Sequence, residues 1–275
     1  MQDRRKGEMC NMETVNIKIN GRDYEVAKGS TVLEAAKAAK IDIPTLCYLK
    51  DINEIGACRL CLVEVSEGGR PYRMVTACVY PVSEGMQVLT NTPKITASRK
   101  MNLELLLSNH NQDCLACVRS TNCELQSLCR EYGVNTSRFT GAVNTYAIDD
   151  KTPIIRDNNK CILCRRCVAA CAKTQGIGVI GANERGFDTH IGCSFEAKLD
   201  DSPCVSCGQC IVNCPFGAIA DKSQIMQVIT AMKHSEEVIA CVAPAFVGQF
   251  GKEATPAKIK AAMRILGFTD VVEVA

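Results

Sequence analysis

The sequence predicts an α+β protein made of several small domains in series. Three observations carry that expectation. A hairpin signal followed by a capped helix occupies residues 13–46. Nineteen cysteines stand among 275 residues, most of them in short, regularly spaced groups. A strand–helix–strand pattern occupies residues 236–275.

The first domain is expected over 13–90, behind a tail over 1–12. VNIKI (15–19) and DYEVA (23–27) alternate around Asn20-Gly21, the strongest short-range signal for a hairpin. GSTVLEAAKAAK then reads as a helix, with Thr31 as N-cap and Glu34 completing a capping box. IPTLCYL leads out of it into a loop bearing Cys47. Hairpin, helix and cysteine loop outline a β-grasp ferredoxin domain, and CLVEVSEGGRPYRMVTAC adds two strands around a glycine turn.

A small helical domain is expected over 91–150. NTPKITASRKMNLELLLSNH reads as a helix with Thr92 as N-cap and Pro93 at N1. Its apolar face is Ile95, Leu103, Leu106 and Leu107, and it ends near His110. Residues 131–160 are polar and turn-rich and read as a connector. Residues 151–221 hold two similar cysteine runs, with a 32-residue insertion between their inner ends. Residues 222–275 read as an incomplete βαβ unit. EEVIACVAP is expected to be a buried strand, TPAKIKAAMRILG a helix capped by Thr255, Pro256 and Gly267, and TDVVEVA a second strand.

The cysteine groups carry the chemistry. Cys161, Cys164, Cys167 and Cys171 form C-x2-C-x2-C-x3-C, and Cys204, Cys207, Cys210 and Cys214 repeat it, followed by Pro215. This is the two-cluster ferredoxin spacing, in which three thiolates wrap one cube and the fourth reaches the other. The expected sets are therefore Cys161, Cys164, Cys167 and Cys214 on one 4Fe–4S cluster, and Cys171, Cys204, Cys207 and Cys210 on the next. Zinc ribbons are the plain alternative, but their C-x2-C pairs lack the third and fourth regular cysteines. Ala172 stands where a simple ferredoxin has proline after the fourth cysteine, which alters loop stiffness and not ligation.

Cys47, Cys58, Cys61 and Cys78 form C-x10-C-x2-C-x16-C. The first gap is longer than in the plant-type ferredoxin spacing, yet the flanking strands point to a 2Fe–2S cluster, with structural zinc as the alternative. In HNQDCLACVRSTNC, Cys114, Cys117 and Cys123 need a fourth ligand. His110 supplies one for a third 4Fe–4S cluster, and Cys129 competes with it. Cys10, Cys193 and Cys241 fit no group and read as free thiols or small buried hydrophobes, as does Cys129 if it is not a ligand. His190 and His234 read as ordinary polar residues.

Composition excludes other classes. The opening MQDRRKGEMC is charged and reads as no secretory signal. No stretch approaches the roughly 18 apolar residues of a membrane span. A cysteine-rich chain of this kind is expected in the cytoplasm, with its thiols on metal. The formal charge of +2 belongs to the chain alone. Four clusters would add about −7 and bring it to about −5, so the mild basicity does not point to nucleic acid. No nucleotide loop, Ser-His-Asp arrangement or paired-carboxylate signature stands out.

The order of the groups resembles the N-terminal half of the FeFe-hydrogenases. It is similar also to the large iron–sulfur subunit of respiratory complex I and to some cytosolic formate dehydrogenases. The resemblance runs over about residues 14–220, on the 2Fe–2S cysteines, HNQDCLACVRSTNC, NCELQSLCREYGV, CILCRRCVAAC, GVIGANERGFDT and CVSCGQCIVNCPFGAI. EEVIACVAPAFVGQFG followed by KIKAAMRILGFTDVVEVA is similar to the first β-α-β unit of the hydrogenase catalytic domain, which favours that family.

The resemblance implies a relay with one 2Fe–2S and three 4Fe–4S clusters. It would pass single electrons between a ferredoxin or an NAD(P)H-oxidising flavoprotein subunit and a catalytic hydrogenase domain or subunit. The family's catalytic cluster takes four cysteines, and none follows Cys241, so that centre is expected outside this chain. Two parallel strands and one helix leave sheet faces uncovered, so the chain is expected to be a fragment or to be completed by a partner. An electron-input subunit of a formate dehydrogenase or complex I-like assembly is the alternative. A redox sensor is a further one, disfavoured because a sensor needs one cluster. Arg165 and Arg166, inside a cluster loop, read as a solvated surface pair, with local tuning of the cluster as the alternative.

Overall fold

The computed structural model describes residues 13–139, 145–234 and 237–274. The expected tail over 1–12, with Cys10, lies outside them. The chain divides into two compact units, Met1–Asp221 and Lys222–Ala275.

The first unit begins with strands β1 (Thr14–Ile19) and β2 (Arg22–Ala27), paired antiparallel from Ile19–Arg22 outward to Thr14–Ala27. Asn20 and Gly21 both take positive φ, 49° and 83°, which gives a two-residue turn whose twist suits the strands. Val15, Ile17 and Ile19 alternate inward. Helix α1 (Val32–Ala38) starts at Thr31, and the capping box with Glu34 is formed in both directions. Strands β3 (Leu62–Ser66) and β4 (Arg73–Thr76) pair antiparallel. A fifth strand the sequence reading did not anticipate, β5 (Gln87–Leu89), runs parallel to β1 and antiparallel to β3. It completes a sheet of order β2-β1-β5-β3-β4. Ile17, Ile19, Leu33, Val63, Val65 and Met86 belong to its core.

Helix α2 (Pro93–Leu107) begins at Thr92, whose hydroxyl caps Ile95 N and donates to Glu64 Oε2 at 2.7 Å. One threonine thus starts the helix and ties it to β3. Ile95, Leu103 and Leu107 are buried as expected and Leu106 is half-buried, but Arg99 and Glu104 share the buried face. Both are tolerated because they are paired. Arg99 donates to Leu62 O at 2.7 Å, Thr90 O at 3.1 Å and Tyr132 Oη at 3.0 Å. Glu104 pairs with Arg138 at 2.6 Å. The helix stops at Ser108, so His110 stands just beyond it, its amide on Leu107 O at 3.2 Å. Helix α3 (Glu124–Glu131) follows and carries Cys129.

The expected connector ends in structure. Residues Ile154–Arg156 form β6. Helix α4 (Arg166–Ala169) runs into a π-helical turn, Ala170–Thr174, that holds Cys171. The insertion folds as a hairpin of β7 (Ile180–Asn183) and β8 (His190–Cys193). Helix α5 (Gln209–Val212) precedes β9 (Ile219–Asp221), which pairs antiparallel with β6 and closes the double repeat.

The second unit opens with α6 (Ile225–Lys233), a helix the sequence reading did not anticipate. Strands β10 (Ile239–Val242) and β11 (Asp270–Glu273) pair in parallel across α7 (Pro256–Leu266). Thr255 accepts from Lys258 N at 3.4 Å, and Gly267 ends α7 at φ 115°. The expectation that β10 is buried is corrected: Ala240 is buried, but Ile239 is 52% exposed and Cys241 is exposed. A sheet of two strands has too little surface around it to enclose both faces of either.

Candidate iron–sulfur centres

Cys47, Cys58, Cys61 and Cys78 come from three loops, after α1, before β3 and after β4, and all four are buried. Cys58 N donates to Cys47 Sγ at 3.5 Å, and the Sγ atoms of Cys61 and Cys78 are 3.2 Å apart. Hydrogen bonding from the Cys47 thiol pulls the Cys58 pKa down to about 6 and pushes Cys47 up. Cys78 lowers Cys61 in the same way and is itself raised. In each pair one thiol is thus favoured to ionise ahead of the other, and the thiolate is the form that binds metal.

The two cysteine runs open onto two cavities. One is lined by Cys161, Cys164, Cys167 and Cys214, with Ile191 and Phe216 among its apolar walls. The other is lined by Cys171, Cys204, Cys207 and Cys210, with Leu199 and Val179. In each, one cysteine arrives from the opposite run. The loops repeat the same backbone: Leu163 and Arg165 take φ of 57° and 60°, and Ser206 and Gly208, at matching positions, 51° and 74°. These left-handed residues turn amides inward, and Leu163 N reaches Cys161 Sγ at 3.4 Å. Burial pushes Cys161 up to about 12 and Cys164 and Cys210 to about 11, and holds Cys167 well above a free thiol.

A third cavity is lined by His110, Cys114, Cys123 and Cys129. Cys117 does not line it; its Sγ lies 2.8 Å from where a Cβ on Gly217 would stand, and Gly217 has φ of +72°. Burial lowers the His110 pKa, against a hydrogen bond to the Lys160 backbone that raises it. His110 Nδ1 is buried with no hydrogen-bond partner among the described residues. Burial, with Cys123 and Cys114 nearby, pushes the Cys129 thiol up to about 11.

Residues the sequence reading passed over join these sites. Asn53 is buried and donates to Cys47 O at 2.7 Å and Cys164 O at 3.0 Å. Phe216 is buried in one apolar cluster with Cys47, Cys58, Cys129 and Cys164. Arg165 is exposed as expected, but Arg166 is not solvated: it donates to Tyr48 O at 3.2 Å and pairs with Glu124 at 3.3 Å. None of these contacts has a periodic signal, and all but the Asn53–Cys47 bond span dozens of residues. Cys193 is buried, and His190 hydrogen-bonds Asp188 O and Glu196 Oε2 at 2.9 Å each.

The residues present fit iron–sulfur clusters. Clustered thiols pushed up by burial need a strong local cation to ionise, and a cluster's irons supply it. Among the described residues no three His, Cys, Asp or Glu side chains converge tightly enough for a single metal ion. A cluster instead takes thiolates spread around its edges.

Ferredoxin-type groups on this scaffold define an iron–sulfur electron-transfer protein. Four family models match in series. They are a 2Fe-2S iron-sulfur cluster binding domain over 12–93 and the NADH-ubiquinone oxidoreductase-G iron-sulfur binding region over 99–138. A 4Fe-4S dicluster domain follows over 160–218, and the C-terminal domain of the iron only hydrogenase large subunit over 236–275. The chain is 39% identical to the NADP-reducing hydrogenase subunit HndD of Solidesulfovibrio fructosivorans, over 95% of this chain and 47% of that one. It is 36% identical to the mitochondrial NADH-ubiquinone oxidoreductase 78 kDa subunit of Neurospora crassa, over 76% of this chain and 28% of that one. A chain in the crystal structure of an NAD+-reducing NiFe hydrogenase, in its H2-reduced state, superposes with a TM-score of 0.70 at 30% identity, over 76% of this chain and 88% of that one. The chain belongs to the family of iron–sulfur electron-transfer subunits shared by these hydrogenases and the NADH-quinone oxidoreductases. It spans about half the length of the hydrogenase subunit and just over a quarter of the mitochondrial one.

Proposed function

We propose that the chain is a four-cluster relay that passes single electrons between a redox partner and an FeFe-hydrogenase catalytic centre outside residues 1–275. The observation that carries this reading is the crossed lining of two cavities, each by three cysteines of one run and one of the other. Cys161, Cys164, Cys167 and Cys214 hold one 4Fe–4S cluster, and Cys171, Cys204, Cys207 and Cys210 hold the next. Cys47, Cys58, Cys61 and Cys78 hold a 2Fe–2S cluster in a β-grasp domain, a reading the five-stranded sheet supports. His110, Cys114, Cys117 and Cys123 hold the third 4Fe–4S cluster, supported by the buried, unpartnered Nδ1 of His110 beside Cys114 and Cys123.

When bound, the clusters supply reversible one-electron steps. The chain's own residues fix their surroundings. Phe216 and its apolar neighbours exclude water between sites, Asn53 holds two ligand loops together, and inward amides stabilise cysteine sulfur. The match to the hydrogenase C-terminal domain over 236–275 favours a hydrogenase partner over a formate dehydrogenase or complex I-like assembly. A flavoprotein subunit that oxidises NAD(P)H, or a ferredoxin, is the electron partner, and the cytoplasm is the compartment. Among the described residues no helix is long and apolar enough to cross a membrane.

Anaerobically reconstituted protein should bind about 14 iron atoms. Iron of about 8 atoms, or zinc at the first cysteine group, would defeat the four-cluster reading. His110→Ala should remove the third 4Fe–4S signal and Cys129→Ala should keep it. The reverse pattern makes Cys129 the ligand.

A further inference from the structure

Arg156, on β6, is 8% exposed and lines both dicluster cavities. It is the only charged residue lining the cavity of Cys171, Cys204, Cys207 and Cys210, and exposed Arg165 is the only other charged residue lining that of Cys161, Cys164, Cys167 and Cys214, among the described residues. Two of its three nitrogens are engaged. Nη2 pairs with Asp149 Oδ2 at 3.0 Å, and Nη1 donates to the buried Cys193 Sγ at 3.8 Å. Nε is buried and has no hydrogen-bond partner among the described residues. Asp149 is itself fixed, since its Oδ2 accepts from Leu199 N at 3.2 Å and its backbone pairs with that of Arg156.

A buried unpartnered donor is costly unless something completes it. Arg156 lines three cavities: the two dicluster ones are walled mainly by cysteines and apolar groups, and the third is an open one with Asp149, Lys151, Glu196 and Lys198. A guanidinium stays charged at any working pH, so it is a fixed charge and not a switch. Such a charge stabilises the reduced cluster, which carries one more electron, over the oxidised one. Low surrounding polarity extends that effect to every cluster the side chain borders.

We propose that Arg156 is a positioning charge shared by the two dicluster sites, raising both of their reduction potentials together, with Asp149 setting how far. The inference rests on the cluster assignment given under Proposed function. Asp149 partly cancels the cation. Removing the arginine charge leaves a largely buried carboxylate behind and moves both potentials down. Removing the aspartate charge leaves the cation uncompensated and moves both up. Moving two neighbouring potentials in parallel keeps the electron step between them near balance while shifting the pair against an outside donor.

The test is an EPR-monitored redox titration of reconstituted protein of the full 275 residues. Arg156→Gln should lower the midpoints of both dicluster cubes by about tenfold in their reduction equilibria, 59 mV for one electron. Asp149→Asn should raise both by a smaller factor, and Arg156→Lys should stay near the unmodified protein. The 2Fe–2S midpoint should not move in any variant. Unchanged cubes in Arg156→Gln, or an equal shift of the 2Fe–2S centre, overturns the proposal. If Arg156→Gln does not retain its clusters, Asp149→Asn decides alone, and potentials that fail to rise overturn it. Absence of paired 4Fe–4S signals in the unmodified protein would instead defeat the cluster assignment, and this inference with it.

Discussion

The loops 161–171 and 204–214 have one cysteine spacing and one backbone, and very different surroundings. Both place left-handed residues at the same two positions. Yet Cys164 and Cys167 are buried, whereas at the matching places Cys207 is exposed and Cys210 half-buried. The first loop is held by other parts of the chain: Asn53 reaches Cys164 O, and Arg166 reaches Tyr48 O and Glu124. Around the second, Val205 is 62% exposed and Val212 75%. Spacing and backbone answer to what the loop wraps. Depth answers to the neighbours, which the repeat does not encode.

The largest effect should come from the crossing itself. Cys214→Ala lies in the second run but should remove the cluster of the first, and Cys171→Ala the reverse, each losing about 4 iron atoms. Iron analysis with EPR of the surviving cube checks this; loss of the cube in the same run as the mutation would break the crossed arrangement. Gly217→Val should follow. It combines a positive φ with a Cβ 2.8 Å from Cys117 Sγ, and should cost about 3 kcal/mol in thermal unfolding of the loaded protein.

Next comes the contrast between matching positions. Arg166→Met removes the ties to Tyr48 O and Glu124 and should cost about 2 kcal/mol. Gln209→Met, at the same place in the second loop, should change stability by less than about 0.5 kcal/mol. Equal losses in the two would mean that neighbours do not set the difference. The smallest effect concerns the left-handed positions. Arg165→Gly relieves a φ of 60° and should stabilise by a few tenths of a kcal/mol, while Gly208→Ala should cost about 1 kcal/mol, both read from chemical denaturation.

Local signals were legible wherever the chemistry is local. Asn20-Gly21, the Thr31–Glu34 box, Thr92 with Pro93 and Thr255 with Gly267 all mark the ends of elements the structure contains. The cysteine runs that line the two cavities were legible because spacing within a run is a local quantity. What escaped is long-range. Strand β5 has three residues, too few for a period, and exists because β1 and β3 leave a gap it can pair into. Arg99, Glu104 and Arg166 look like surface charges in sequence and are held in or near the interior by partners far along the chain. The burial expected of Cys241 failed for the opposite reason: an apolar run gives a strand its face, but only further layers bury it.

Asn53 gives the molecule a seam. Viewed as a string of modules, residues 13–90 look exchangeable for the same segment of another ferredoxin. Their one buried amide, however, also holds the main chain of a cysteine in the third module. A graft cut near residue 90 therefore exports half of a two-sided fastening, and a donor with a side chain other than an amide at that place would leave the carbonyl of Cys164 unfastened. Recombination along this family should then tolerate junctions between modules only where residue 53 and the loop around Cys164 travel together, so the unit of inheritance is longer than the unit of sequence repeat.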